Sequence, residues 1–173
     1  MSIVTVVGNP RTGSRTYAVA VQAAETVARR IGHEEPVEVV DLSVLAPLLL
    51  APGASPEVEA ALEAVAGASV LVVASPTYKG TYTGLLKVFL DRLPGGALTS
   101  KVALPLLVMG DARHALGVEV HFRPLLVELG ATVPTPGLAL VESEIPELDA
   151  VLGRWADRVA PQVSAAVATG APA

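Results

Sequence analysis

Residues 3–16 read I-V-T-V-V-G-N-P-R-T-G-S-R-T. Ile3, Val4, Val6 and Val7 are apolar and β-branched, which predicts a short strand buried on both faces. Gly8, Asn9, Pro10, Arg11, Thr12 and Gly13 then hold too many breakers for helix or strand and predict a tight polar loop. Beyond Ser14, small or apolar residues return at Ala18, Val21, Ala24, Ala28 and Ile31, the spacing of one helix face. The unit is strand, loop, helix. Free N–H groups at a helix start face back into such a loop and, with the helix dipole, favour an anion there. Arg11, Ser14, Arg15 and Thr16 add cations and hydroxyls, so the loop reads as a seat for one phosphate group. The same residues also suit a plain βα turn in which Ser14 is only an N-cap and the arginines are solvated.

Several phosphate loops are excluded by what is missing. Gly8 and Gly13 have the spacing of a triphosphate loop, but Ser14 stands where its lysine is needed. Pro10 occupies the second glycine position of the dinucleotide fingerprint. The chain has no cysteine, which rules out a thiolate phosphatase. What survives is a monophosphate held by hydroxyls, backbone N–H groups and arginine.

At 173 residues the length suits one domain, expected over residues 1–168 with a disordered tail at 169–173. The chain is 51% hydrophobic and only 17% charged, with a net charge of −5. No basic stripe is present to neutralise phosphates, so nucleic acid is not an expected partner. No apolar run approaches the roughly 20 residues of a membrane span, and a membrane is not an expected partner either. The start runs straight into a strand, with no basic n-region or cleavage site, so a cytoplasmic protein is expected. His33, His114 and His121 lack metal-ligand spacing, and no metal site is expected.

Further along, Gly32 reads as a helix stop, Val37–Asp41 as a second strand, and Asp41 as a loop-entry carboxylate. Residues 42–56 are apolar but hold Pro47, Pro52, Gly53 and Pro56 with no regular period, which predicts a buried loop. Ser55-Pro56-Glu57 is a clean helix entry, and residues 70–74 make a third, wholly apolar strand. The loop that follows, residues 75–84, reads S-P-T-Y-K-G-T-Y-T-G and holds two of the chain's three tyrosines. It offers backbone amides, a flat aromatic and a cation; the alternative is that Tyr78 and Tyr82 merely cap the core. Residues 85–93 predict a helix apolar enough to lie deep in the core or in an interface. Residues 101–109 predict a fourth strand with a bulge or late start at Pro105. Gly110, Asp111, Ala112, Arg113 and His114 form a third loop. A helix over 115–129 stops at Gly130, residues 138–141 form a fifth strand, and a last helix from Ile145 runs to about Ala168, interrupted near Pro161. His121 and Arg123 read as a solvated face or a subunit contact.

Strands alternating with helices imply a parallel sheet covered on both faces, with its ligand beyond the carboxyl ends of the strands. The loops at 8–16, 75–84 and 110–114 would meet there. A monophosphate seat, a tyrosine-bearing loop and a glycine loop in one crevice describe a flavin mononucleotide site.

Over nearly its whole length the chain resembles the NADPH-dependent FMN reductases, particularly the sulfonate-utilisation branch. That family's phosphate loop has a G-S-x-R-x-x-S-x-[NST] character, which residues 8–16 match except for Asn9 in place of serine. Residues 75–87 are close to the branch's S-P-x-Y-K-x-x-Y-[ST]-G-x-L-K. The third loop, usually T-G-G followed by a histidine, is Met109-Gly110-Asp111 here, with His114 retained. The resemblance implies a flavodoxin-like three-layer sandwich, α/β, with five parallel strands in the order 2-1-3-4-5. It implies hydride transfer from NADPH or NADH to FMN, with no catalytic acid or base required of the protein. Arg11, Ser14 and Thr16, assisted by Asn9, would hold the phosphate. Pro76, Thr77, Tyr78, Lys79, Gly80 and Thr81 would line the flavin, and Gly110, Asp111 and His114 would close over it. Reduced flavin would pass to a flavin-dependent monooxygenase, and a homodimer or homotetramer is expected. The alternatives are a quinone or azo reductase that keeps its FMN, and a flavodoxin-like electron carrier.

Overall fold

The computed structural model describes residues 1–170. Five strands, β1 (Ile3–Val7), β2 (Glu38–Asp41), β3 (Val70–Pro76), β4 (Val102–Met109) and β5 (Leu138–Val141), form one sheet. Its order is β2-β1-β3-β4-β5 and every pairing is parallel. This is the flavodoxin-like arrangement read from the sequence. All residues of β1, β3 and β4 are buried, which is why these segments are uninterrupted apolar runs without alternation.

Alternate side chains feed two cores. Ile3 and Val7 pack with α1 (Arg15–Arg30) and α6 (Leu148–Gly170) on one side. Val4 and Val6 face α2 (Leu42–Leu49), α3 (Pro56–Gly67), α4 (Gly84–Leu90) and α5 (Arg123–Glu128) on the other. Phe89 and Phe122 are the large fully buried aromatics of that second core.

Four segments differ from the sequence expectation. Residues 42–49 are helical, not loop. Leu42, Leu45 and Leu49 give the i, i+3, i+7 spacing that seats the helix on the core. Asp41 caps its start by accepting the Ser43 amide at 3.0 Å, and Pro47 falls so late in two turns that it ends the helix without preventing it.

Pro105 causes no bulge: it sits in register opposite Val73. The Ala103 amide donates to the Thr132 carbonyl on the β5 side. Backbone alternation turns the Pro105 nitrogen the same way, before β5 begins opposite Leu106. The β3–β4 ladder therefore loses no donor.

The expected helix at 115–129 is a π-helix (Val118–Phe122) that runs into α5, and a 3₁₀ turn (Ala112–His114) precedes it in the third loop. Pro124 has no N–H for the Val120 carbonyl, and the turn ahead of it widens so that the Arg123 amide reaches the Val118 carbonyl five residues back. Lastly, α6 passes through Pro161 without interruption. The carbonyl that Pro161 leaves free belongs to Asp157, on the exposed side of the helix, where water satisfies it. Of the expected tail, Thr169 and Gly170 are the last residues of α6, and 171–173 lie outside the described residues.

Candidate functional site

The carboxyl ends of β1, β3 and β4 carry the three loops singled out in the sequence. The loop after β1 is shaped by its own polar side chains. Asn9 is buried; its Oδ1 accepts the Arg11 amide at 2.9 Å and its Nδ2 donates to Thr16 Oγ1 at 3.1 Å. Ser14 caps α1, its Oγ accepting the Tyr17 amide at 3.2 Å. The N-cap reading of Ser14 is thus correct, and it leaves the earlier amides of the first turn aimed at the loop. Gly13, at φ 62°, supplies the left-handed residue that the turn needs. Arg11 is exposed and, among the described residues, makes no ion pair. Arg15 points outward and pairs with Glu142 at 3.1 Å.

The loop after β3 is a two-residue hairpin. Tyr78 and Thr81 bridge each other, the Tyr78 amide donating to the Thr81 carbonyl at 2.9 Å. Lys79 and Gly80 between them have φ of 55° and 89°, the type I′ geometry that suits a tight hairpin. The two tyrosines divide the alternatives open in the sequence. Tyr82 packs on the core, its ring centroid 5.4 Å from that of Phe122. Tyr78 is 42% exposed and caps nothing.

This hairpin is fastened to the loop after β1 on one side and to the carboxyl end of β4 on the other. Thr83 Oγ1 donates to the Gly8 carbonyl at 2.6 Å while accepting the Leu86 amide as the cap of α4. Ser75 Oγ accepts the Thr83 amide at 2.9 Å. A Cβ on Gly8 would come within 2.7 Å of Leu86 Cβ, so only glycine lets loop and helix approach this closely. On the other side the Thr77 amide donates to the Val108 carbonyl at 2.8 Å. Gly117 backs onto the Gly80 carbonyl, which an added Cβ would meet at 2.9 Å. Ser75 and Thr83 were not singled out in the sequence. The signal for Thr83 was present, a threonine directly ahead of an apolar helix.

In the third loop Asp111 caps the 3₁₀ turn by accepting the Arg113 amide at 2.9 Å, and its carboxylate pairs with Arg113 at 3.2 Å. His114 is half-buried at the end of that turn. Arg123 is not on a solvated face. It turns inward, donating to Glu119 Oε2 at 2.6 Å and to the carbonyls of Val133 and Thr135. Burial pushes the Glu119 carboxyl up, but its bonds to Arg123 and to the Gly137 amide outweigh this and hold it below the usual carboxylate range.

Beside the hairpin, between α4 and α5, lies a concavity of about 560 Å³ reached by Thr81, Tyr82, Lys87, His121 and Leu125. The apolar helix expected at 85–93 is mostly internal, with Leu86, Phe89 and Leu90 buried. The exposed large apolar side chains are elsewhere, at Val44, Leu50, Leu116, Val120 and Val127 among others. No described helix is long and apolar enough to cross a membrane.

Residues 1–144 match the family model of the NADPH-dependent FMN reductases. The chain is 35% identical over 147 residues to FMN reductase (NADPH) of Escherichia coli K12, covering 84% of this chain and 75% of that protein. Among solved structures it is similar to the apo form of the NADH:FMN oxidoreductase EMOB. That match has 31% identity and a TM-score of 0.77 over 91% of this chain and 87% of the other. It is also similar to an oxidoreductase of Corynebacterium diphtheriae, 28% identical with a TM-score of 0.83 over 98% of both chains. With the fold and these matches together, this chain belongs to the NADPH-dependent FMN reductase family, the NAD(P)H-using flavin reductases.

Proposed function

We propose that the chain binds FMN at the carboxyl edge of the sheet, reduces it with NADPH or NADH, and hands the reduced flavin to a flavin-dependent monooxygenase in the cytoplasm. The observation that carries this reading is the fastening of the hairpin to the loop after β1, through Thr83 to Gly8, and to the carboxyl end of β4, through Thr77 to Val108. It makes one continuous rim from three separate segments.

The residues present fit FMN. Thr77 Oγ1 and Thr81 Oγ1 are buried without a hydrogen-bond partner, so each hydroxyl is left for the polar edge of a ligand. Arg11 and the first-turn amides of α1 would hold the phosphate, with Ser14 and Thr16 beside them. Asn9, bonded within the loop, keeps that cradle in shape. Pro76 through Thr81 would line the ring system, with the open face of Tyr78 available for stacking, and Gly110, Asp111 and His114 would close the third side. When bound, the flavin and the nicotinamide supply the hydride chemistry themselves. The chain's part is to orient the rings and exclude water, and no side chain has to move a proton.

Flavin titrations of Arg11→Ala test the assignment. Loss of a charge-assisted bond of roughly 1.5–3 kcal/mol should weaken FMN about 10- to 150-fold while leaving riboflavin nearly unchanged. Equal losses for both flavins would overturn the phosphate seat. A flat NAD(P)H-oxidation trace with added FMN would overturn the reductase reading. Protein that stays yellow through gel filtration would favour the quinone or azo reductase alternative, in which FMN is retained.

We also propose that the protein self-associates as a dimer or tetramer. Leu116, Val120 and Val127 stand exposed along the segment that borders the concavity between α4 and α5, and covering such a face with a second copy removes it from water. Light scattering that shows a monomer at micromolar concentration would count against this.

A further inference from the structure

On the far side of the edge strand, away from the three loops, a second cavity of about 280 Å³ lies between α6 and the segment leading into β5. Thr135 and Pro136 form one wall, and Trp155, Arg158, Val159 and Gln162 the other. The spacing i, i+3, i+4, i+7 puts the four α6 residues on a single helix face.

Two polar atoms here have no partner. Thr135 and Trp155 are each only 2% exposed, and neither Thr135 Oγ1 nor Trp155 Nε1 makes a hydrogen bond. Buried tryptophan N–H groups ordinarily find an acceptor. The wall that holds Thr135 is itself firmly set. Arg123 donates to the Thr135 carbonyl at 2.5 Å, and Glu119 Oε1 accepts the Gly137 amide at 2.6 Å. One carbonyl and one amide of the wall are thereby bonded from behind, while the Thr135 hydroxyl is not.

The chemistry of the lining narrows what would fill it. An indole N–H only donates, so its partner must be an acceptor. Arg158 adds a cation that makes no ion pair among the described residues. Pro136, Val159 and the indole ring are apolar. Water would answer the N–H but leave the apolar walls unmatched. A buried anion needs a paired charge, and Arg158 provides it. The volume falls just under the roughly 300 Å³ at which drug-sized sites begin, so the ligand is no larger than a single ring or a short branched chain. From this we infer that the cavity binds a small organic carboxylate, with Trp155 Nε1 and Arg158 on the α6 side of the carboxylate and the Thr135 hydroxyl on the other.

Trp155 is the chain's one tryptophan, so its fluorescence reports on this cavity alone. The test is a titration of the full chain with benzoate at constant ionic strength, alongside the neutral isostere benzamide. Benzoate should give a saturable change in Trp155 emission at millimolar concentration or below, and benzamide none. Arg158→Gln, at an exposed position that folding does not depend on, should weaken benzoate by about tenfold or more. Thr135→Val should weaken it less. FMN affinity should be unchanged in Arg158→Gln, which separates this site from the flavin rim. Emission that ignores millimolar benzoate, an equal response to benzamide, or wild-type benzoate affinity in Arg158→Gln would each overturn the inference and leave the cavity to water.

Discussion

In the loop after β1 the side chains of Asn9, Ser14 and Thr16 all bond to the loop itself or to the helix that it feeds. In the hairpin after β3 the hydroxyls of Thr77 and Thr81 are buried with no partner at all. The two loops have similar polar composition and opposite economies. The first uses its side chains to shape a cradle and leaves backbone amides and Arg11 for a ligand. The second is shaped by its backbone, through the type I′ turn and the bond from Thr83 to Gly8, and leaves side chains over. A residue type that suits a ligand can therefore hold the scaffold instead, and hydrogen-bond partners decide which.

The contrast can be tested by substitution. The largest effect is expected for Thr83→Val, which removes the α4 cap and strands the Gly8 carbonyl. Stability to denaturant should fall by about 2–4 kcal/mol, and a loss under about 1 kcal/mol would mean that the two loops are not held together here. Asn9→Ala should come next, at about 1–3 kcal/mol for two internal bonds, with FMN affinity falling because the cradle loosens. If stability is unchanged while FMN binding collapses, Asn9 is a ligand and the contrast fails. Thr77→Val should leave the flavin-free protein's stability within about 0.5 kcal/mol, since no bond is lost, yet weaken FMN and riboflavin together by about 2- to 12-fold. Destabilisation of the flavin-free protein would show that its hydroxyl is already partnered. Arg15→Ala should be the mildest, because an exposed ion pair contributes about 0–1 kcal/mol. Thermal melts and FMN titrations should both stay near wild type.

The sheet was legible because β1, β3 and β4 are apolar runs with no competing period, and polar punctuation separates them. The helix at 42–49 was not, because Pro47 hid the leucine spacing and three more breakers, Pro52, Gly53 and Pro56, favoured a loop. The π-helix was not legible either: the pattern across 115–129 is helical, and the one missing N–H at Pro124 acts on hydrogen bonds that a sequence does not display. At the site, residue types and loop positions could be read. The internal bonding of Asn9 and the inward turn of Arg123 could not, since both depend on what the fold brings within reach.

β1 is an interior strand of the sheet, and its partner on one side is distant in the chain: Ile3 pairs with Val70. At ribosomal rates of about 5–20 residues per second, roughly 3–13 seconds pass between synthesis of the two. During that time β2 can cover one edge of β1, while the other stays open, an apolar strand with unpaired amides and carbonyls. Such an edge pairs readily with the same strand of another nascent chain. A fold in which an early-made strand ends up inside the sheet thus has a window of exposure set by translation. Slowing the ribosome across 8–69 should lower the yield of folded protein, whereas slowing it after β3 has emerged should not.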